Sequence, residues 1–232
     1  MKNKLVLVGA GGFGREVAWQ FSDQYEMLGF VDDAPGLQGK TINGLPVLGG
    51  NDFLLNHTEE INAVICIANP KSRKKMAEKL SENPLIKFPT IVAGDAKHSE
   101  TVNFGKGCII CLSGILTVNI ELGDFVVTNW DCTIGHDVII GDYVTLYPSV
   151  NVSGNVEIGT CAEIGTGTNI IQGKKIGAHS IIGAGSVVVK DIPENCTAVG
   201  VPAFPIKYHQ CLQNIKTTSS QHRPCQGTQT LL

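Results

Sequence analysis

His136 is followed at once by Asp137, in the phrase Ile134-Gly-His-Asp-Val138. An imidazole titrates near neutral pH, so it is the natural group to take a proton from an attacking amine or hydroxyl. A neighbouring carboxylate would orient the ring and raise its basicity. The same spacing fits a solvated corner residue, and these residues alone leave both readings open. A second chemical signature lies near the N-terminus, where Gly9, Gly11 and Gly14 fit GxGxxG and Asp32-Asp33 follow. Glycines let a backbone approach a phosphate, a helix N-terminus offers free N–H groups to an anion, and acidic side chains accept hydrogen bonds from a sugar hydroxyl or a base. The glycines also fit a plain strand-to-helix turn, or a full NAD site. A unit of about 90 residues is half a complete dinucleotide fold, so a mononucleotide or nucleotide-sugar suits it better.

The elements that must position these groups have two textures. Counting by six from His98 gives Phe104, Ile110, Leu116, Leu122, Thr128, Ile134, Ile140, Leu146, Val152, Ile158, Ile164, Ile170, Ile176, Ile182 and Val188, apolar except at His98 and Thr128. Glycine often follows, as at Gly105, Gly123, Gly135 and Gly141, and a second small or branched residue sits four places on. No helix or hairpin sheet has a six-residue period; a parallel β-helix has, with three hexads to a triangular coil. Stability then builds as a nearest-neighbour sum along the axis. Lys174 falls on a second-inward position, which predicts a distorted or locally open coil there. The histidines His136 and His179 fall on outward corners of this coil.

Residues 1 to about 90 read instead as a small α/β unit. Lys4–Val8 is a buried-type strand leading into the glycine motif and a helix from Arg15 to Asp23; Met27–Val31 and Ala63–Ala68 are further strands, and a helix runs over about Lys71–Ser81. The predicted division is 1–90 for a Rossmann-like nucleotide-sugar-binding domain, 91–207 for the β-helix and 208–232 for a polar, mobile tail.

Charge is balanced, with 18 basic and 21 acidic residues, which argues against a nucleic-acid or membrane-surface role. No 18-residue apolar run and no signal peptide stand out, and of the eight cysteines Cys66 lies in a buried-type strand while Cys108, Cys132 and Cys161 are spread through the coil; together these predict a reduced, cytoplasmic protein. Cys108 and Cys111 form a CxxC without a second pair to complete a zinc site, and no metal is expected.

Gly9-Ala-Gly-Gly-Phe-Gly-Arg-Glu-Val17, Gly29-Phe-Val-Asp-Asp33, the hexad coil and Val199-Gly-Val-Pro-Ala203 occur in that order. Over residues 1 to about 207 the chain resembles the hexapeptide-repeat sugar acetyltransferases of the sialic acid O-acetyltransferase type, which are similar to bacterial nucleotide-aminosugar N-acetyltransferases of surface-glycan pathways. The resemblance implies an α/β N-terminal Rossmann-like half-domain followed by a left-handed parallel β-helix. It implies a homotrimer with acetyl-CoA as co-substrate lying between neighbouring coils. His136 stands at the family's catalytic position with Asp137 beside it, and Asn129 at a polar active-site position, where a structural Asn in a turn is an equal reading. By position, acetyl-CoA contacts fall on Thr145, Thr166 and Ala184. Sugar-nucleotide contacts fall on Gly11, Gly12, Phe13, Asp32, Asp33 and Ala68. Lys190 and Lys207 could meet the CoA phosphates, and one of Lys71, Arg73, Lys74 and Lys75 a diphosphate, although solvated charges explain either set.

The leading expectation is acetyl transfer from acetyl-CoA to the amine of a nucleotide-linked amino sugar. O-acetylation of sialic acid or a related sugar is the runner-up. Two other classes compete: a non-catalytic nucleotide-sugar-binding protein, and a zinc β-helix carbonic anhydrase. The latter needs three histidines across neighbouring chains.

Overall fold

The computed structural model describes residues 2–209. Most of the expected tail, from residue 210 on, lies outside the described residues.

The first unit is a six-stranded sheet of order β3-β4-β2-β1-β5-β6. Its strands are β1 (Asn3–Val8), β2 (Tyr25–Val31), β3 (Thr41–Ile42), β4 (Leu45–Gly49), β5 (Ile61–Ile65) and β6 (Ile86–Lys87). All neighbours pair in parallel except β3 with β4, a short antiparallel hairpin. The helices are α1 (Gly12–Gln20), α2 (Asn51–Leu55) and α3 (Pro70–Leu80). The sequence pattern marks β1, β2, β5, α1 and α3; it passes over the short β3, β4, α2 and β6, too brief to show a period. From Leu5 to Val8, β1 is apolar because both its faces are buried there. Leu5 and Leu7 join one core with α1, and Val6 and Val8 join another with α2 and α3.

From Ile91 on, the chain winds into a left-handed parallel β-helix with three faces. The first face carries Ile91–Val92, Ile109–Ile110, Val127–Thr128, Thr145–Leu146, Glu163–Ile164 and Ile181–Ile182, and ends with Cys196–Val199 and an antiparallel strand, Phe204–Tyr208. The second carries the Ile115, Thr133, Asn151, Asn169 and Val187 strands; the third the Glu121, Ile139, Glu157 and Lys175 strands. Partners lie 18 residues apart, as Thr133↔Asn151 and Asn151↔Asn169. Inside, the hexad residues stack with the second-inward residues into one core. Corner residues such as Asp137 (φ 57°) and Asn155 (φ 56°) take the left-handed conformation that Asn and Asp tolerate. The coil keeps its ladder past Lys174: the Lys174 carbonyl accepts from Glu157 N at 3.0 Å and Ile176 stays buried. Its side chain is half-buried, and the distortion expected there does not appear in the backbone.

The first coil face does not face solvent along its lower half. Ile91, Ile109, Cys111 and Val127 pack into the same core as Leu5, Val17, Phe21 and Cys66. Phe125 and Tyr143 stack at 5.3 Å and join the core under α3. The two units therefore share two hydrophobic cores, and the position of the glycine loop relative to the coil is set by packing.

Arg73 fastens the seam. It is fully buried, and its guanidinium donates to six acceptors: Phe125 O (2.9 Å), Ile67 O (2.6 Å), Ala68 O (2.8 Å), Tyr143 O (2.7 Å), Val144 O (3.1 Å) and Thr145 Oγ1 (2.9 Å). Burial pushes its pKa down to about 10, so it stays charged at neutral pH. Its cation is balanced by carbonyl dipoles rather than a carboxylate. A diphosphate role for Arg73 is thereby corrected: every donor already has a partner inside the protein.

Candidate active site

The glycine loop follows β1 and opens α1. A side chain on Gly14 would overlap the Gly9 carbonyl oxygen, and Gly9 has φ +106° with Cys66 O 3.1 Å from a Cβ position. These two glycines are required by the turn itself. Gly11 and Gly12 are different: a Cβ on Gly11 would meet nothing within 4 Å, and one on Gly12 only the Arg15 guanidinium at 4.0 Å. They front a cavity of about 390 Å³ lined also by Phe13, Asp32, Asp33, Asn51, Ile67 and Met76. Gly11 caps α1 without a side-chain partner, and no acidic residue occupies the first turn, so the helix N–H groups face that space free of internal competition.

Asp32 and Asp33 lie at the end of β2. Asp32 accepts from Ala10 N through Oδ2 (2.9 Å) and from Ala34 N through Oδ1 (2.9 Å), tying the glycine loop to the next strand. Asp33 Oδ1 accepts from Asn51 N (2.7 Å), and its Oδ2 accepts from Asn51 Nδ2. Asn51 is buried, and its Oδ1 has no hydrogen-bond partner among the described residues. With Nδ2 held by Asp33, that oxygen is a buried, unmatched acceptor behind the wall of the cavity. The sequence offered no signal for Asn51 or Met76, which reach the cavity from α2 and α3.

Ala68 is placed differently from the other expected substrate residues. It lies at the seam, where its carbonyl accepts from both Arg73 and Thr145 Oγ1 (2.6 Å). Thr145 is fully buried in the same knot. It was expected in an open cofactor groove; that expectation is corrected, because its hydroxyl is committed to Ala68 and Arg73 and no surface of it reaches solvent. Beside it, Asn69 Nδ2 donates to Glu163 Oε1 (3.1 Å) and Tyr147 to Glu163 Oε2 (3.1 Å). Burial and the Glu163 carboxylate push the Tyr147 phenol up to about 12.

Thr166 and Ala184 are exposed on the edge between the first and second coil faces, 18 residues apart and one above the other. Asn129 belongs to the same edge, lower down. It is buried, and its Oδ1 accepts from Trp130 N (2.8 Å). His136 stands on the next edge, between the second and third faces. Its ring is half-exposed, and Nδ1 lies 2.8 Å from Asp137 Oδ2. Hydrogen bonds from His136 and Asn119 hold the Asp137 carboxyl below the usual range. With Nδ1–H donated to Asp137, Nε2 carries the lone pair. Within one chain, then, the structure brings Asp137 to His136 and sets Asn129, Thr166 and Ala184 across the Thr133–Asn151–Asn169 face from them. His179 is on the third edge, its pKa lowered by burial and by Lys71 and Lys74. Lys190 covers the Phe204 ring at 5.6 Å.

A larger cavity, about 680 Å³, lies on the outer flank of α1 beside Trp19 and Tyr25. None of the expected site residues lines it. Among the described residues no three His, Cys, Asp or Glu side chains converge as metal ligands, and no helix is long and apolar enough to cross a membrane.

Comparison with known proteins decides the family. Residues 4–80 match the PglD N-terminal domain. A solved structure of the acetyltransferase domain of PglB from Neisseria gonorrhoeae, in complex with acetyl coenzyme A, is 32% identical; the match covers 89% of this chain and 100% of that one, with a TM-score of 0.82. The chain belongs to the hexapeptide-repeat sugar acetyltransferases. WeeI from Acinetobacter baumannii is 34% identical, with 88% of this acetyltransferase and 100% of WeeI covered and a TM-score of 0.79. A His-to-Asn mutant of perosamine N-acetyltransferase from Caulobacter crescentus, in complex with CoA and GDP-perosamine, is 25% identical over 88% of this chain and 96% of that one, with a TM-score of 0.81. GDP-perosamine N-acetyltransferase of Escherichia coli O157:H7 is 36% identical over 154 residues, 62% of this acetyltransferase and 66% of that protein's length.

Proposed function

We propose that the enzyme transfers the acetyl group of acetyl-CoA to the amine of a nucleotide-linked amino sugar, with His136 as general base. The observation that carries this reading is the His136–Asp137 contact on an exposed coil edge, which fixes one ring nitrogen and leaves Nε2 to take a proton. The nucleotide would lie in the cavity at Gly11, Gly12 and Phe13, with its phosphates at the α1 N-terminus. Asp32 and Asp33 would offer acceptors to base and ribose. Acetyl-CoA supplies the thioester carbon that the amine attacks. Thr166 and Ala184 are small and exposed, which suits a groove where backbone approaches the pantetheine arm closely. Nε2 of His136 takes the amine proton as the N–C bond forms; the C–S bond then breaks, and the same proton passes to the departing CoA sulfur, which leaves as the thiol.

One chain holds the two halves of this site on different edges. A neighbouring copy must therefore bring its Thr166–Ala184 edge to His136, and three such contacts close a homotrimer. Exposed Ile115 and Val118, on the face and edge beside His136, supply apolar surface for that contact. Both proposed substrates are cytoplasmic metabolites, which supports a cytoplasmic enzyme.

The test is thiol release from acetyl-CoA against GDP-, UDP-, dTDP- and CMP-linked sugars, each with and without a free amine. Release confined to amine-bearing nucleotide sugars, and reduced roughly 10²–10⁴-fold in kcat by His136→Ala, is expected. Equal release with hydroxyl-only acceptors would favour O-acetylation, and a His136→Ala variant at wild-type rate would overturn the base.

A further inference from the structure

Several coil corners share one device, from which Asp137 departs. At these, including the corner one coil below Asp137 on the same edge, a side-chain oxygen caps a backbone N–H in the adjacent coil. Asp124 Oδ1 accepts from Lys106 N (3.0 Å), Asp142 Oδ1 from Asp124 N (2.8 Å), Asp95 Oδ2 from Ser113 N (3.1 Å) and Thr101 Oγ1 from Asn119 N (2.9 Å). Asp137 caps no backbone group. Its Oδ1 accepts from Asn119 Nδ2 (3.1 Å), one coil below, and its Oδ2 faces His136 Nδ1. With both oxygens bound to side chains, the carboxylate is fixed in rotation and presents Oδ2 to the ring.

The glycine one coil above is equally specific. At Gly135, Gly141 and Gly159 a Cβ would collide with the backbone of the next coil, at 2.7, 2.7 and 2.5 Å. At Gly154 the nearest atoms are those of the His136 ring: Nε2, Cε1 at 2.5 Å and Cδ2 at 2.9 Å. Gly154 is not in the left-handed region, so its own turn does not demand glycine. The ring lies in the space that a side chain there would fill.

Resting on the reading of His136 as the base, we infer that Asn119 and Gly154 are positioning residues: Asn119 orients the carboxylate that holds Nδ1, and Gly154 seats the ring so that Nε2 stays open to the acceptor amine. Neither touches substrate. Coils below and above the base thus take part in setting one imidazole, and a one-residue slip of either would unseat it.

Two variants of the full chain test this. Asn119→Gly keeps a residue at ease with φ 54° and removes only the amide. Gly154→Ala adds one methyl under the ring. Expected for Asn119→Gly is a fall in kcat of about tenfold, the scale of one charge-assisted hydrogen bond, with both KM values within about twofold. Expected for Gly154→Ala is a fall of about 10²-fold, the scale of an ångström misplacement. In ¹⁵N-histidine spectra of the free enzyme, the Nδ1–H signal assigned through His136→Ala should move or broaden in both variants while the melting temperature holds. An unchanged His136 signal and unchanged kcat in both variants, with His136→Ala inactive, would overturn the positioning role. An active His136→Ala would overturn the base instead, and an unaltered KM with lost kcat would mark the defect as orientation and not binding.

Discussion

At the scale of single residues, side chains that hold the fold are distinct from those left open to a ligand. Arg73 belongs to the first kind. In the sequence it sits in a basic run that looks like a solvated helix face, yet it is the most committed side chain in the molecule, bound to five carbonyls and a hydroxyl. Removing it would strand several buried carbonyls at once, each costing about 1–3 kcal/mol. Arg73→Met should therefore lose at least about 3 kcal/mol in urea unfolding, since more than one carbonyl is orphaned. A loss under 1 kcal/mol would mean the seam is held by apolar packing alone. The glycines teach the converse. Gly9, Gly11 and Gly14 read alike as a motif, but Gly14 and Gly9 serve the turn, whereas Gly11 and Gly12 serve the space in front of it.

At the scale of elements, the hexad repeat made the coil legible because every sixth side chain points inward and any slip would bury a polar residue. The same arithmetic, counted by 18 instead of six, leads from His136 to Gly154 and from Asp137 to Asn119. The short β3–β4 hairpin, α2 and Asn51 were not legible, since two- to five-residue elements carry no period, and neither was Thr145's burial, which depends on which coil face the first unit covers. The coil core also has a chemical consequence. Burial pushes the thiols of Cys108, Cys111 and Cys132 up from 9.0 to about 11, 12 and 12. A folded-state pKa above the unfolded value contributes stability that is complete below the unfolded pKa and lost as pH rises toward the folded one. These thiols should thus lower the melting temperature as pH rises from about 9 toward 12 and leave it unaffected well below that window. Cys132→Ala should fall less steeply than wild type over that window; parallel curves would show that this thiol does not titrate with unfolding.

At the scale of the whole molecule, two cores shared across the seam make the nucleotide unit and the coil one mechanical piece, so the acceptor and the base cannot be positioned independently. Yet the prism separates His136 from the Thr166–Ala184 edge by a full face, so the proposed reaction calls for two copies. Co-expressing His136→Ala with Ala184→Trp measures this most directly. Each variant alone should be inactive. The co-expressed population as a whole should regain about one quarter of wild-type thiol release at equal expression, because about one site in four over all assemblies then combines an intact histidine with an intact neighbouring edge. No recovery from two inactive parents, in assemblies shown to contain both chains, would contradict a site shared between copies.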